Sequence, residues 1–351
     1  MLVMPPHRSV LSDSQKSPGS FRLLHLDVLR AVAALLVCLH HFDRGDKPLL
    51  GLISSGGHLG VNIFFVLSGY VIPLALYRSG FRYLDTGTFF LARFARLYPA
   101  YFVTGALAIA LHHVSSFVPG FAGKPPSYSS ASLWANATLT CDLTGHRWIV
   151  PIFWTLAIEA QFYILLAASF PLLVCRKPWS TIAVVGVWIC VPLATVNGPT
   201  VFSWTALFAI GISVFLYREA VISPRLAFFL FLFAYLVETG VHGWPGAAVG
   251  AATAAFIVCC PNLKPGLLVF IGLISYSLYL LHPLIGGRVI NLTWRWSEGG
   301  LLEWLFLGVA IGASVFAAWV MYALLERPSH ELSRSISASC NTYVISVATA
   351  S

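Results

Sequence analysis

Runs of about twenty apolar residues, separated by short polar stretches, recur along the chain between residues 23 and 325. A helix needs about 20 mostly apolar residues to cross the roughly 30 Å hydrocarbon layer of a bilayer. Ten segments come near that length, at 23–42, 57–77, 97–114, 152–174, 179–196, 200–217, 224–239, 243–260, 267–290 and 301–325. Several are short or rich in glycine and proline, which blurs their ends. The pattern predicts an all-α, polytopic transmembrane bundle of about ten spans over residues 21–330. Residues 1–20 mix Ser, Pro, Gly and scattered charge without an apolar core, as a disordered tail without a signal peptide does. Residues 331–351 read as a second tail.

Charge placement supports the count. With the N-terminus inside, ten spans put fourteen of the 21 Lys and Arg residues on the cytoplasmic side and six outside, with Arg30 inside the first span. That bias is the positive-inside rule, and it places both termini in the cytoplasm. Composition agrees: 58% of the 351 residues are hydrophobic and only 10% charged, too few to cover a soluble surface. The net charge of +8 is spread between apolar segments, without the basic and aromatic patch of a nucleic-acid binder. The seven cysteines form no CxxC or Cys/His metal spacing, so neither a disulfide framework nor a metal site is expected. The sequons at Asn136 and Asn291 read as chance matches. The 115–151 connection is long enough to suggest a function of its own.

Chemistry concentrates at polar residues within the apolar runs. The stretch LDVLRAVAALLVCLHHF (26–42) carries Asp27, Arg30, His40 and His41. Eleven helical steps from Arg30 to His41 total about 1100°, within about 20° of whole turns, with a rise of about 16 Å. The two side chains therefore share a face and serve opposite halves of a membrane. Asp27 can neutralise Arg30 three residues away, which leaves His41 unexplained. In GHLGVNIFFVLSGYVIPL (57–74), Gly57, Gly60 and Gly69 suit close helix approach, and Asn62 and Ser68 are polar. Val66 stands where a GxSxG elbow needs its first glycine, so Ser68 is not a hydrolase nucleophile.

Arg93 and Arg96 in FLARFARLYPAY (90–101) are neighbours on one helix face at the cytoplasmic mouth. They read either as a positive-inside anchor or as a phosphate clamp. Glu159 and Gln161 lie in the outer half of the fourth span, and a carboxylate there is a functional candidate by default. Ser275, Tyr279 and His282 in GLISYSLYLLHPLI (272–285) fall on one narrow helical face, a substrate-binding strip or hydrogen-bonded packing. Glu326 and Pro328 in LLERP read as the end of the last span. His41 and Asp46 also fit the HxxxxD spacing of glycerolipid acyltransferases, a two-residue pattern.

In order along residues 23–328, the Arg30-x10-His41 span, GVNIFFVLSG, Arg93-x-x-Arg96, WTLAIEAQFY with Glu159, ISYSLYLLHPL and the closing ERP resemble membrane acyltransferase family 3. Members of that family O-acylate sugars of surface glycans and some secondary metabolites. The chain departs from it at Asn62, where many members have an acidic residue, and no appended soluble domain is expected after the bundle. The resemblance implies a cytoplasmic acyl-CoA donor, most simply acetyl-CoA, a carbohydrate or glycolipid acceptor at the outer face, and a bacterial plasma or inner membrane. With its near-neutral intrinsic pKa, His41 then reads as general base on the acceptor hydroxyl or as a covalent carrier of the acyl group. Arg30, Arg93 and Arg96 hold the donor's phosphates or thioester end, Glu159 orients the histidine or the sugar, and no metal is expected. A transporter using Arg30, His41 and Glu159 as a substrate or proton path is the rival from another class.

Overall fold

The computed structural model describes residues 23–43, 55–117, 127–175, 177–195, 198–260, 264, 266–293 and 301–348. Among them there is helix and no strand. Because lipid offers no partner to a backbone amide, apolar runs close their hydrogen bonds within helices. The elements are α1 (Leu24–Phe42), α2 (Gly60–Ser79), α3 (Thr86–Ser116), α4 (Ser130–Ala137), α5 (Cys141–Thr144), α6 (Phe153–Leu173) and α7 (Pro178–Cys190). They continue with α8 (Thr205–Arg218), α9 (Pro224–His242), α10 (Trp244–Cys259), α11 (Leu267–Leu273), α12 (Ser275–Leu281), α13 (Gly286–Thr293), α14 (Leu301–Met321) and α15 (Arg327–Ala348). Among the described residues, six helical stretches are long and apolar enough to cross a membrane, and three shorter apolar helices accompany them. Large apolar side chains such as Phe228, Phe229 and Leu236 on α9 and Leu305, Phe316 and Trp319 on α14 are exposed. Such a surface suits lipid and would be an aggregation liability in water.

Small residues let the helices that build the site come close. A Cβ on Gly69 of α2 would collide with the backbone of Phe208 on α8, and one on Gly211 of α8 with the backbone of Val66 on α2. Gly272 of α11 lies in the same way against the backbone of Asp27 on α1. Gly57 and Gly60 meet the α1 backbone at Leu36 and Ala33, so the expected close approach is present at every glycine named for it. Aromatic contacts fill the wider gaps, including Phe162 stacked on Phe208 with ring centres 4.1 Å apart.

Two expectations about continuity are corrected. The 267–290 segment is not one helix but α11, α12 and α13. Pro283 lacks the N–H that would continue α12, and the chain turns over 282–285 before α13. At the other site, LLERP does not end a helix. A π turn, Tyr322–Glu326, links α14 to α15, with the Arg327 N–H reaching back to Tyr322 O. That register shift comes just before Pro328, whose missing N–H costs little in the first turn of α15. Residues 331–348, expected to be a tail, are helical.

The described part of the long connection, 127–150, is folded around Asn136. Its Nδ2 donates to Ser132 O at 2.9 Å and Arg147 O at 3.1 Å, and its Oδ1 accepts from Ile149 N at 2.9 Å. A side chain so engaged and buried is no glycan acceptor in this fold. Cys38, Cys141, Cys175, Cys190, Cys259 and Cys260 are free thiols.

Candidate active site

The bundle has a basic end, where α1 begins, α2 finishes and α3 begins, and an opposite end where α1 finishes at Phe42, next to His41. A cavity of about 530 Å³ runs inward from the basic end, a size typical of ligand sites. Exposed Arg327, Glu331 and Arg334 of α15 line its mouth. Arg30, Arg93, Arg96 and Glu159 line its interior, and Val61, Phe64, Thr155 and Tyr279 form its far wall. The sequence-predicted Arg30, Arg93, Arg96, Glu159, Ser275 and Tyr279 thus meet around one space. They arrive there from α1, α3, α6 and α12.

Each polar group is held by a specific partner. Arg30 Nη1 donates to Asp27 Oδ1 at 3.1 Å, so the neutralising pair forms and still presents Arg30 to the cavity. The Arg93 guanidinium lies over the Phe89 and Tyr163 rings, 5.4 and 5.5 Å from their centres. Cation–π contact fixes the planar fork without consuming its donors. Neither Arg93 nor Arg96 has a carboxylate partner among the described residues, which leaves both free to bind an anion. Glu159 Oε1 accepts from Ser68 Oγ at 3.1 Å and from Tyr163 OH at 2.5 Å. Glu159 therefore faces the arginines and is not the group that meets His41.

His41 and His282 lie beyond the far wall, outside the cavity lining. Tyr279 OH shares a 2.8 Å hydrogen bond with Thr155 Oγ1 and closes that wall. Phe64 packs edge-on against the Tyr279 ring at 5.6 Å. His41 is exposed at the opposite end, with Nδ1 2.9 Å from Val37 O and 3.3 Å from His282 Nε2. His282 is 0% exposed. The expected polar strip is therefore split: Ser275 and Tyr279 line the cavity, and His282 is buried behind His41. Its assignment to substrate contact is corrected, because a side chain with no accessible surface cannot touch a ligand in this arrangement. Asp46, the second half of the HxxxxD spacing, lies outside the described residues.

Sequence reasoning missed several participants. Ser68, rejected as a nucleophile, is a hydrogen-bond donor to Glu159. Arg327, His330, Glu331 and Arg334 fall at i, i+3, i+4 and i+7, one helical face, a spacing visible in the sequence once α15 is read as helix. A second buried polar cluster lies away from the cavity: Glu238, 0% exposed, pairs with His242 Nδ1 at 3.1 Å. The Trp204 ring stacks on His242 at 4.4 Å. The i, i+4 spacing of Glu238 and His242 was the available signal. Asn62 is buried near Glu238, both adjoining Gly246. No group of three or more His, Cys, Asp or Glu among the described residues is arranged to hold a metal ion.

Comparison with known proteins gives a consistent result. The family described as an acyltransferase domain matches residues 23–323. "Protein 2 in picA locus" of Rhizobium radiobacter is 38% identical over 108 residues, 30% of this chain and 53% of that protein. "O-acetyltransferase OatA" of Staphylococcus aureus is 32% identical over 158 residues, 42% of this chain and 24% of that protein. "Acyltransferase MdmB" of Streptomyces mycarofaciens is 25% identical over an alignment of 386 positions, 90% of this chain and 93% of that protein. The chain thus spans about half the length of the first of these relatives and about a quarter of the second. No solved structure matches. With the family match running from the start of α1 to the π turn, the chain belongs to acyltransferase family 3.

Proposed function

We propose that this protein is an integral membrane O-acyltransferase that moves an acyl group, most simply acetyl, from cytoplasmic acyl-CoA to a sugar hydroxyl on the far side of the bilayer. The acceptor class is a surface glycan or a glycosylated metabolite, and the membrane is a bacterial plasma or inner membrane with ten crossings and both termini inside. The observation that carries this reading is an arginine-lined cavity that ends at Tyr279, with an exposed histidine just behind that wall. The Tyr279 and His282 rings lie 5.8 Å apart, and those of His282 and His41 5.0 Å apart.

In this mechanism Arg93 and Arg96, with Arg327 and Arg334 at the mouth, bind the donor's phosphates through planar forks matched to phosphate oxygens. Arg30 meets the thioester end. His41 takes the proton from the acceptor hydroxyl as its oxygen attacks the thioester carbonyl. The carbon–sulfur bond breaks, and the thiolate takes a proton as it leaves as the free thiol. Tyr279 has to swing aside for the acyl group to reach the acceptor. The folded 127–150 connection is the candidate for acceptor selectivity.

The test uses full-length protein in lipid with radiolabelled acetyl-CoA and the host's glycan and glycolipid fraction, wild type beside His41→Ala. Label in an alkali-labile sugar ester with wild type, and none with the variant, supports the transferase. Absence of transfer from several acyl-CoAs, with a labelled solute crossing the membrane instead, would replace it with the transporter.

A further inference from the structure

The YLLHP sequence that breaks the ninth apolar segment places a proline where a hydrogen-bond donor is missing. In a continuing helix the Tyr279 carbonyl would accept from the N–H of residue 283, four positions on. Residue 283 is a proline and has none. A buried carbonyl left unpaired costs about 1–3 kcal/mol. The partner it has instead is a side chain: His282 Nδ1 lies 2.8 Å from Tyr279 O. A carbonyl oxygen only accepts, so Nδ1 of His282 carries a proton. In the neutral ring the proton-free nitrogen is then Nε2.

That choice passes to the next ring. His282 Nε2, with its lone pair, lies 3.3 Å from His41 Nδ1. His41 Nδ1 also lies 2.9 Å from Val37 O. Both neighbours are acceptors, so His41 Nδ1 is the protonated nitrogen, donating to the two together. The lone pair of neutral His41 is thereby assigned to Nε2, and His41 is the exposed member of the pair. Free histidine favours the opposite tautomer, with its proton on Nε2, so this state needs a device to hold it.

We propose that His282 is a positioning residue which, with its own tautomer set by Pro283, holds His41 in the Nδ1-protonated form and so presents Nε2 as the base. This rests on the general-base reading of His41. His282 does not touch substrate. It does for His41 what a buried carboxylate does for the histidine of a catalytic triad, with a neutral imidazole in place of the anion. Once His41 accepts a proton, its Nδ1–H bond to the His282 lone pair strengthens and stabilises the imidazolium.

The experiment is ¹⁵N NMR of the full-length protein in lipid nanodiscs with histidine ¹⁵N-labelled, the His41 signals being assigned by their loss in His41→Gln. Wild type is expected to show a protonated Nδ1 and a lone-pair Nε2 on His41. His282→Leu is expected to return His41 to the tautomer mixture of a free histidine. In the transfer assay it should lower kcat about 10²- to 10⁴-fold, the usual contribution of general-base catalysis, with KM little changed. His282→Gln, whose amide oxygen can accept the same N–H, should recover much of that loss. Pro283→Ala, which restores a donor to Tyr279 O, should weaken the tautomer preference and is informative if His282→Leu fails to fold. A wild-type His41 protonated on Nε2 overturns the proposal, as does a tautomer unaffected by His282→Leu. Because the NMR reading needs no turnover, full activity in His41→Ala would sink the base assignment while leaving the tautomer result intact.

Discussion

Gly272→Ala tests whether the α1–α11 contact sets the geometry of the cavity. A Cβ at this position would overlap the Asp27 carbonyl and lie 2.8 Å from Asp27 Cα. Carbon atoms pack at about 3.5–4.0 Å, so the helices must part by roughly 1 Å. The obstacle is backbone, so no side-chain rotation relieves it. Overpacking of this kind costs about 1–3 kcal/mol, and a gap of that width also forfeits a quarter to a half of each dispersion contact along the interface. A total near 3 kcal/mol lowers Tm by about 4 °C in a chain of 351 residues, at about 2.1 cal/mol/K of unfolding entropy per residue. Arg30 stands one turn from Asp27, so it moves with α1, and a displacement of about 1 Å in a positioning group can cost on the order of 100-fold in rate. Thermal unfolding in detergent and initial transfer rates would be measured beside Gly308→Ala. Nothing lies within 4 Å of a Cβ at Gly308, and the helical alanine there should stabilise slightly. Equal melting of Gly272→Ala and wild type would refute the close approach.

His242→Ala should leave Glu238 buried without its partner and cost about 3–5 kcal/mol, whereas the double variant Glu238→Leu/His242→Ala should be less damaging, as a thermal-melt cycle would reveal. Arg93→Lys should weaken acetyl-CoA binding about tenfold by calorimetry, because an ammonium cannot reproduce the fork held over Phe89 and Tyr163; unchanged binding would remove Arg93 from the donor site. Arg334→Ala should weaken acetyl-CoA binding most at low salt and less as ionic strength rises, and a salt-independent effect would argue for α15 as scaffold only.

The helices were legible because apolar runs of the right length leave the backbone few alternatives. Arg30 and Glu159 stood out as candidates because charge is costly at membrane depth, whatever it faces, while Arg93 and Arg96 read first as a positive-inside anchor. What they face was not legible. Glu159 was expected to orient either His41 or the sugar, and its partner is Ser68, 91 residues away in sequence. The histidine that meets His41 is 241 residues distant, and no local periodicity encodes such a pairing. The Glu326-Arg327-Pro328 signal was misread because a proline stops a helix only if the hydrogen-bond register around it is regular. The π turn changed that register, and α15 became a cavity wall where a tail was expected. The break after His282 was written in Pro283, but its use depends on the folding back of the His282 ring onto the stranded Tyr279 carbonyl, which no spacing encodes.

The closed wall at Tyr279 and Thr155 has an electrical consequence. In the proposed transfer the departing thiolate takes up a proton on the cytoplasmic side, and the acceptor hydroxyl gives one up on the other. If the wall passes the acyl group but no proton, each turnover carries one unit of positive charge outward with the acyl group. A potential of 100 mV, negative inside, opposes such a movement by about 2.3 kcal/mol. Acylation would then slow as the membrane becomes more energised and acidify the outer compartment as it proceeds. A variant that lets protons slip past Tyr279 would lose this voltage dependence and dissipate the gradient.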